Sequence, residues 1–126
     1  MANETLLKIA QELVAGCREG REAEGLGKLY AEDAVSVEAA PMPGSDSAET
    51  KGLEGIRGKH AWWESAMEVH EATVDGPFLH GDDKFAVLFG MDVTDKQSGK
   101  RSKMREVALY TVKDEKIVRE EFFYPY

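Results

Sequence analysis

Little in this chain is suited to covalent cross-linking or to capturing a metal. It has one cysteine and three histidines among 126 residues. A lone Cys17 excludes an intramolecular disulfide and argues against a zinc cluster. His60, His70 and His80 form no His-Xaa-His or His-Xaa-Xaa-Xaa-His pair, so no metal site is expected. Positive charge is also scarce: 16 Lys and Arg face 24 Asp and Glu, a net charge of −8. Such a balance does not neutralise phosphates or seek anionic lipid, so neither nucleic acid nor membrane is expected as a partner. No stretch approaches the roughly 20 apolar residues of a membrane span. Serine and cysteine nucleophile motifs, phosphate loops and dinucleotide fingerprints are missing, and no organic cofactor is expected. The run Leu13-Val14-Ala15-Gly16-Cys17 matches a bacterial lipobox. However, Glu4, Lys8, Gln11 and Glu12 precede it at helical spacing, where a signal peptide needs a charged head and an apolar run. Cys17 is therefore read as a buried helical residue, and the protein as cytoplasmic.

The length suits one domain, 1–126, with enough surface to bury a core or a small internal pocket. Over 4–19, Leu6, Ile9, Ala10, Leu13 and Cys17 make one apolar stripe with Leu7 and Val14 beside it, which predicts an amphipathic helix. Asn3 is its expected N-cap and Gly20 its stop. A second helix is expected over 21–30, then a short strand over 35–38 with Val35 and Val37 on one face and Ser36 and Glu38 on the other. Residues 39–52 read as a loop, long enough to suggest a lid or rim. A third helix over 53–67 carries Leu53, Ile56, His60, Trp63 and Met67 on its apolar stripe.

The rest is β. A weakly patterned strand over 69–75 is expected to break at Gly76-Pro77. The strand over 84–94 is apolar on both faces, which predicts burial on both. The last quarter reads as two strands, 101–112 and 117–124, around the turn Lys113-Asp114-Glu115-Lys116. Met104, Glu106, Ala108, Tyr110 and Val112 share one face, as do Glu120, Phe122 and Tyr124. An acid thus sits among apolar and aromatic neighbours on each strand, a pattern that can line a cavity. Helices followed by a run of strands predict an α+β plan, with helices on one face of a curved antiparallel sheet.

Three passages carry a resemblance. Leu29-Tyr30-Ala31-Glu32-Asp33-Ala34-Val35 is similar to an "LYAxDxV" motif, and Lys51-Gly52-Leu53-Glu54-Gly55-Ile56-Arg57 to "xGxxaIr". The ending from Thr111 to Tyr124 is similar to "xxvxdGkIvxxxxyx". In this order the chain resembles the nuclear transport factor 2-like superfamily and, within it, the SnoaL-like group. The resemblance implies a cystatin-like cone, a bent sheet wrapped around three helices with a pocket between them. It also implies a homodimer formed through the outer sheet face.

Within that frame, alignment with ketosteroid isomerases puts Glu38 where those enzymes keep their general-base carboxylate. Their oxyanion tyrosine is matched by Val14, and their second oxyanion donor falls close to Ala108, one step from Glu106 on the same face. Ketosteroid isomerisation itself is therefore not expected. The expected catalytic group is Glu38, His60 and Glu106, with Tyr30, Trp63, Glu120, Phe122 and Tyr124 holding a small apolar or aromatic ligand. Each has a plainer reading. Glu38 would be a solvated acid at a strand end, and His60 a core histidine with a hydrogen bond. Glu106 and Glu120 would pair at the rim with Lys103, Arg105 or Arg119. The functional expectation is cofactor-free isomerase, cyclase or dehydratase chemistry on a carbonyl compound. The alternative is a binding or interaction module whose cone is closed by Trp63, Phe122 and Tyr124.

Overall fold

The apolar stripe of the first helix decides where the core sits. In the computed structural model, which describes residues 2–41 and 46–124, α1 (Ala2–Glu19) buries Leu6, Ile9, Ala10, Leu13 and Val14. Leu7, placed beside the stripe, instead faces outward. The helix begins at Ala2, so Asn3 lies within it and not ahead of it. α2 (Glu22–Leu29) adds Leu26 and Leu29, and α3 (Leu53–Ala66) adds Ile56.

Against these helices lies a six-stranded sheet of order β2-β1-β6-β5-β4-β3. Its strands are β1 (Tyr30–Val37), β2 (Glu49–Lys51), β3 (Met67–His80), β4 (Lys84–Asp95), β5 (Arg101–Lys113) and β6 (Lys116–Phe123). The sheet is curved and unclosed, and it is mixed where an antiparallel one was expected. From β1 the chain leaves through β2 and α3 and re-enters at the far edge. Four antiparallel strands then carry it back, so β6 arrives beside β1 running parallel to it.

Other boundaries moved for similar reasons of pairing. Tyr30 leaves the expected second helix and opens β1, because it pairs with Ile117 of β6. The expected loop 39–52 contains β2, which pairs with β1 from Val35↔Lys51 to Val37↔Glu49 and is too short to show a period. Residues 42–45 of that loop lie outside the described residues. Gly76-Pro77 does not end β3, since register shifts absorb the dipeptide and pairing with β4 resumes at Phe78↔Ala86.

Inside the sheet, Phe85 of β4 stacks on Tyr110 of β5, with centroids 4.8 Å apart and 15° between planes. Such a pair contributes on the order of 1 kcal/mol beyond its buried area. The outer face differs from expectation. Ala86 and Leu88 are only partly covered, while Phe78 and Phe123 are 53 % and 51 % exposed. Among the described residues no helix is long and apolar enough to cross a membrane.

Candidate functional site

Where the sheet curves away from the helices it leaves a cavity of about 400 Å³. Each element delivers a side chain to it by its own period. On β1 the alternate face holds Ala34 and Ser36, fully buried, and continues to Glu38 just past the strand end. α3 turns Lys59, His60, Trp62 and Trp63 towards the same space. β5 contributes Met104, Glu106 and Tyr110, and β6 contributes Glu120 and Phe122, with Tyr124 following. The cone is therefore not closed by Trp63, Phe122 and Tyr124, which border an open volume.

Glu38 is not a solvated strand-end acid. Its Oε2 lies 2.6 Å from Lys59 Nζ, both side chains being 15 % exposed, and its Oε1 accepts from the Tyr124 hydroxyl at 2.9 Å. Lys59 also donates to Ser36 Oγ and stands 5.0 Å from the centre of the Phe122 ring. A cation over an aromatic face at that distance gains roughly 1 kcal/mol where water is largely excluded. Burial first, then the Glu38 hydrogen bond, pushes the Tyr124 hydroxyl up to about 12. It stays a donor at neutral pH.

Glu120 is buried, 5 % exposed, and accepts from Tyr30 OH at 2.5 Å. Ser36, its register partner on β1, donates to it as well. Burial raises its pKa above the ordinary 4.5, against the pull of Tyr30, Lys59 and Ser36. Rim pairing is ruled out for this acid, because Arg119 turns instead to Glu121 at 3.1 Å. Period two explains it: residues 119 and 121 share the other face.

Glu106 has no hydrogen-bond partner or salt bridge among the described residues. Burial pushes its carboxyl up to about 7, and the charges of Glu38 and Glu120 add to this while Lys59 opposes it. Its expected rim partners do not reach it either. A carboxyl that is half protonated near neutral pH, in an apolar wall, can give or take a proton.

His60 borders the cavity, but its Nε2 is not hydrogen-bonded in the core as the plainer reading had it. That buried atom lies 3.3 Å from Glu64 Oε1, one helical turn on, outside hydrogen-bond geometry. Cys17 borders the cavity too, and burial pushes its thiol up to about 12, which makes it a poor nucleophile. Among the described residues no set of three His, Cys, Asp or Glu is arranged to hold a metal ion.

The structure thus brings Glu38, His60, Glu106, Tyr30, Trp63, Glu120, Phe122 and Tyr124 to one cavity. Sequence reasoning missed Lys59 and Ser36. Lys59 lies one turn from Ile56 and Trp63, a spacing that places it on their side of α3. Ser36 shares a face with Glu38, a period-two signal that places it beside that acid.

The SnoaL-like domain family model matches residues 4–124. No curated protein matches the chain. Among solved structures, a Mesorhizobium loti protein provisionally named a SnoaL-like polyketide cyclase is 41 % identical, with a TM-score of 0.86 over 94 % of this chain and 97 % of that one. Its name also carries the words carbohydrate phosphatase, so it points to two unlike activities. A Mycobacterium tuberculosis protein in complex with estradiol-17β-hemisuccinate is 20 % identical, with a TM-score of 0.74 over 96 % of this chain and 94 % of that one. A computationally designed 17-OHP binder is 21 % identical, with a TM-score of 0.68 over 96 % and 93 %. At those two identities the likeness is one of fold. With the family model spanning nearly the whole chain and a relative 41 % identical, the chain belongs to the SnoaL-like domain family.

Proposed function

We propose that this protein binds a small, largely apolar carbonyl compound and moves a proton on it, as a cofactor-free isomerase, cyclase or dehydratase does. One observation carries the reading: the Glu106 carboxyl is desolvated and unpartnered in the wall of an aromatic-lined cavity, with its pKa near 7. An acid–base group works best when its pKa is close to the working pH.

Glu106 takes the proton from the carbon next to the carbonyl. The C–H electron pair moves into the carbon framework and onto the carbonyl oxygen, giving an enolate. Returning that proton to another carbon isomerises the compound. Losing a leaving group from the enolate makes the reaction a dehydration, and attack on a second carbonyl makes it a cyclisation. Glu38, already holding Lys59 and Tyr124, keeps two donors at the polar end where the oxygen would lie. This gives the two carboxylates different tasks, set by their surroundings.

The test needs no knowledge of the natural substrate. Exchange of the α-hydrogens of a cyclic ketone such as 4-phenylcyclohexanone is followed by NMR in deuterated water. The wild type exchanges faster than buffer, and the rate rises as pH passes about 7, where Glu106 becomes the carboxylate. Glu106→Gln slows exchange by roughly a hundredfold or more, the usual contribution of a positioned base. Glu38→Gln slows it less. Exchange at wild-type rate in Glu106→Gln would remove Glu106, and a larger loss in Glu38→Gln would hand the role to Glu38.

A further inference from the structure

Two unpartnered polar groups in the cavity have no part in the chemistry above, His60 Nε2 on α3 and the Tyr110 hydroxyl on β5. Tyr110 is only 3 % exposed and borders the cavity, yet its hydroxyl has no hydrogen-bond partner among the described residues. Its ring is fixed by the stack on Phe85, and its backbone by pairing with Phe85 on one side and Glu120 on the other. Glu120 faces it across the register but takes its bonds from Tyr30 and Ser36. A hydroxyl that borders a cavity without a protein partner can bond a ligand placed there. Burial and the neighbouring acids hold the phenol pKa well above its ordinary value, so the hydroxyl keeps its proton and can donate it to a ligand acceptor.

Glu106 and Tyr110 lie on the same face of β5, four residues apart. At the rise of a strand their backbones are separated by about 13 Å. Between them on β5 lies Ala108, fully buried, and the cavity wall beside it is its register partner Phe122. β5 therefore offers the cavity two unpartnered polar groups, four residues apart on one face.

We propose that the Tyr110 hydroxyl is a specificity-determining group, and that the ligand is a rigid apolar frame with a carbonyl at the Glu106 end and a second, hydrogen-bond-accepting oxygen at the Tyr110 end. This rests on the carbonyl reading above and adds the second oxygen to it. A frame of two or three rings has the required length. A compound with the carbonyl alone leaves Tyr110 unsatisfied and is discriminated against, because a site built to bond an oxygen rejects the analogue lacking it.

The probes are 4-phenylcyclohexanone and its para-hydroxyphenyl analogue, titrated calorimetrically against wild type, Tyr110→Phe and Glu106→Gln. In the wild type the analogue binds about tenfold tighter, the worth of one buried hydrogen bond. In Tyr110→Phe, which keeps the stacked ring, that advantage disappears and the two probes bind alike. In Glu106→Gln the advantage persists, since the change is at the other end. Equal affinity of both probes for the wild type overturns the proposal and leaves the carbonyl reading standing, provided α-hydrogen exchange still depends on Glu106. An advantage that survives Tyr110→Phe overturns it as well. If neither probe binds the wild type, both readings fall together.

Discussion

Replacing Glu106 by glutamine should remove the share of the pH-dependent stability that Glu106 carries. The Glu106 carboxyl has an ordinary pKa of 4.5 and is pushed up to about 7 in the fold. Stability changes with pH in proportion to the difference in protons bound by the unfolded and native states. Below 4.5 both states carry the proton and Glu106 contributes no slope. Between 4.5 and about 7 the unfolded chain has lost the proton and the native chain keeps it, so stability falls as pH rises. Above about 7 both are ionised and the full loss is in place. The window spans roughly two and a half pH units at about 1.4 kcal/mol each, or on the order of 3 kcal/mol.

Glutamine keeps the shape and never ionises. Relative to the wild type, Glu106→Gln should therefore gain on the order of 3 kcal/mol between pH 4.5 and pH 8. Urea unfolding followed by the fluorescence of Trp62 and Trp63 reads this directly, and for a chain of this size the thermal midpoints should separate by roughly 10 °C. Glu120 is present in both chains, so its own raised pKa cancels to first order in the comparison. Parallel stability curves for the two proteins across that range would refute the reasoning, because they would mean Glu106 is as well solvated in the fold as in the open chain.

Two further changes test the surrounding network and the hairpin. Lys59→Met strands the Glu38 carboxylate, whose side chain is 15 % exposed, and should cost about 3 kcal/mol in denaturant unfolding. Because Lys59 holds the Glu106 pKa down, the same change should move the onset of ketone exchange to higher pH, and an unmoved onset would detach Lys59 from Glu106. Glu115 has φ 64° in the turn between β5 and β6, beside Asp114 at φ 51°. A left-handed non-glycine residue costs about 1–2 kcal/mol, and glycine returns part of that as unfolded-state entropy. Glu115→Gly should thus stabilise by roughly 0.5–1 kcal/mol, whereas Glu115→Ala should not; a gain with alanine would point to charge in place of backbone.

The fold was legible because its long elements repeat. Leu6 to Cys17 keep helical spacing, and Phe85 to Val93 and Met104 to Val112 keep a strand period over four or more repeats. The misreadings fall where the local signal is short or where pairing overrides it. β2 has three residues, Tyr30 is drawn out of a helix by Ile117, and the parallel contact of β1 with β6 depends on a partner about eighty residues away. For the site, period two put Glu106, Tyr110 and Glu120 on the right faces. It could not say which face turns inward. On β1 the face with Ser36 and Glu38 turns inward although Val35 and Val37 lie opposite, because the curving sheet brings α3 and its Lys59 over that side. A pairing across 21 residues of sequence, between a strand end and a helix, leaves no periodic trace.

The charges around the cavity explain why one acid is left free. Glu38, Glu106 and Glu120 all feel one cation, Lys59. Lys59 is committed to Glu38 by a 2.6 Å contact, while its charge and the Ser36 hydroxyl both act on Glu120. Tyr30 supplies Glu120 with a second donor, which lets that acid stay buried. Nothing comparable reaches Glu106, so three acids and one lysine leave it alone to respond to pH near neutrality. A core selected for stability alone would replace Glu106 with leucine or methionine, which fit the same wall without a desolvation cost. Keeping an unpaired carboxyl there lowers stability above pH 7, and the same lack of partners makes its proton available to a ligand. On the proposed chemistry, stability and proton transfer depend on one titration. If Glu106 is the proton carrier, the pH at which the gap between wild type and Glu106→Gln stops widening in unfolding must match the midpoint of the rise in ketone exchange, both near 7, and two different values would separate the buried acid from the chemistry.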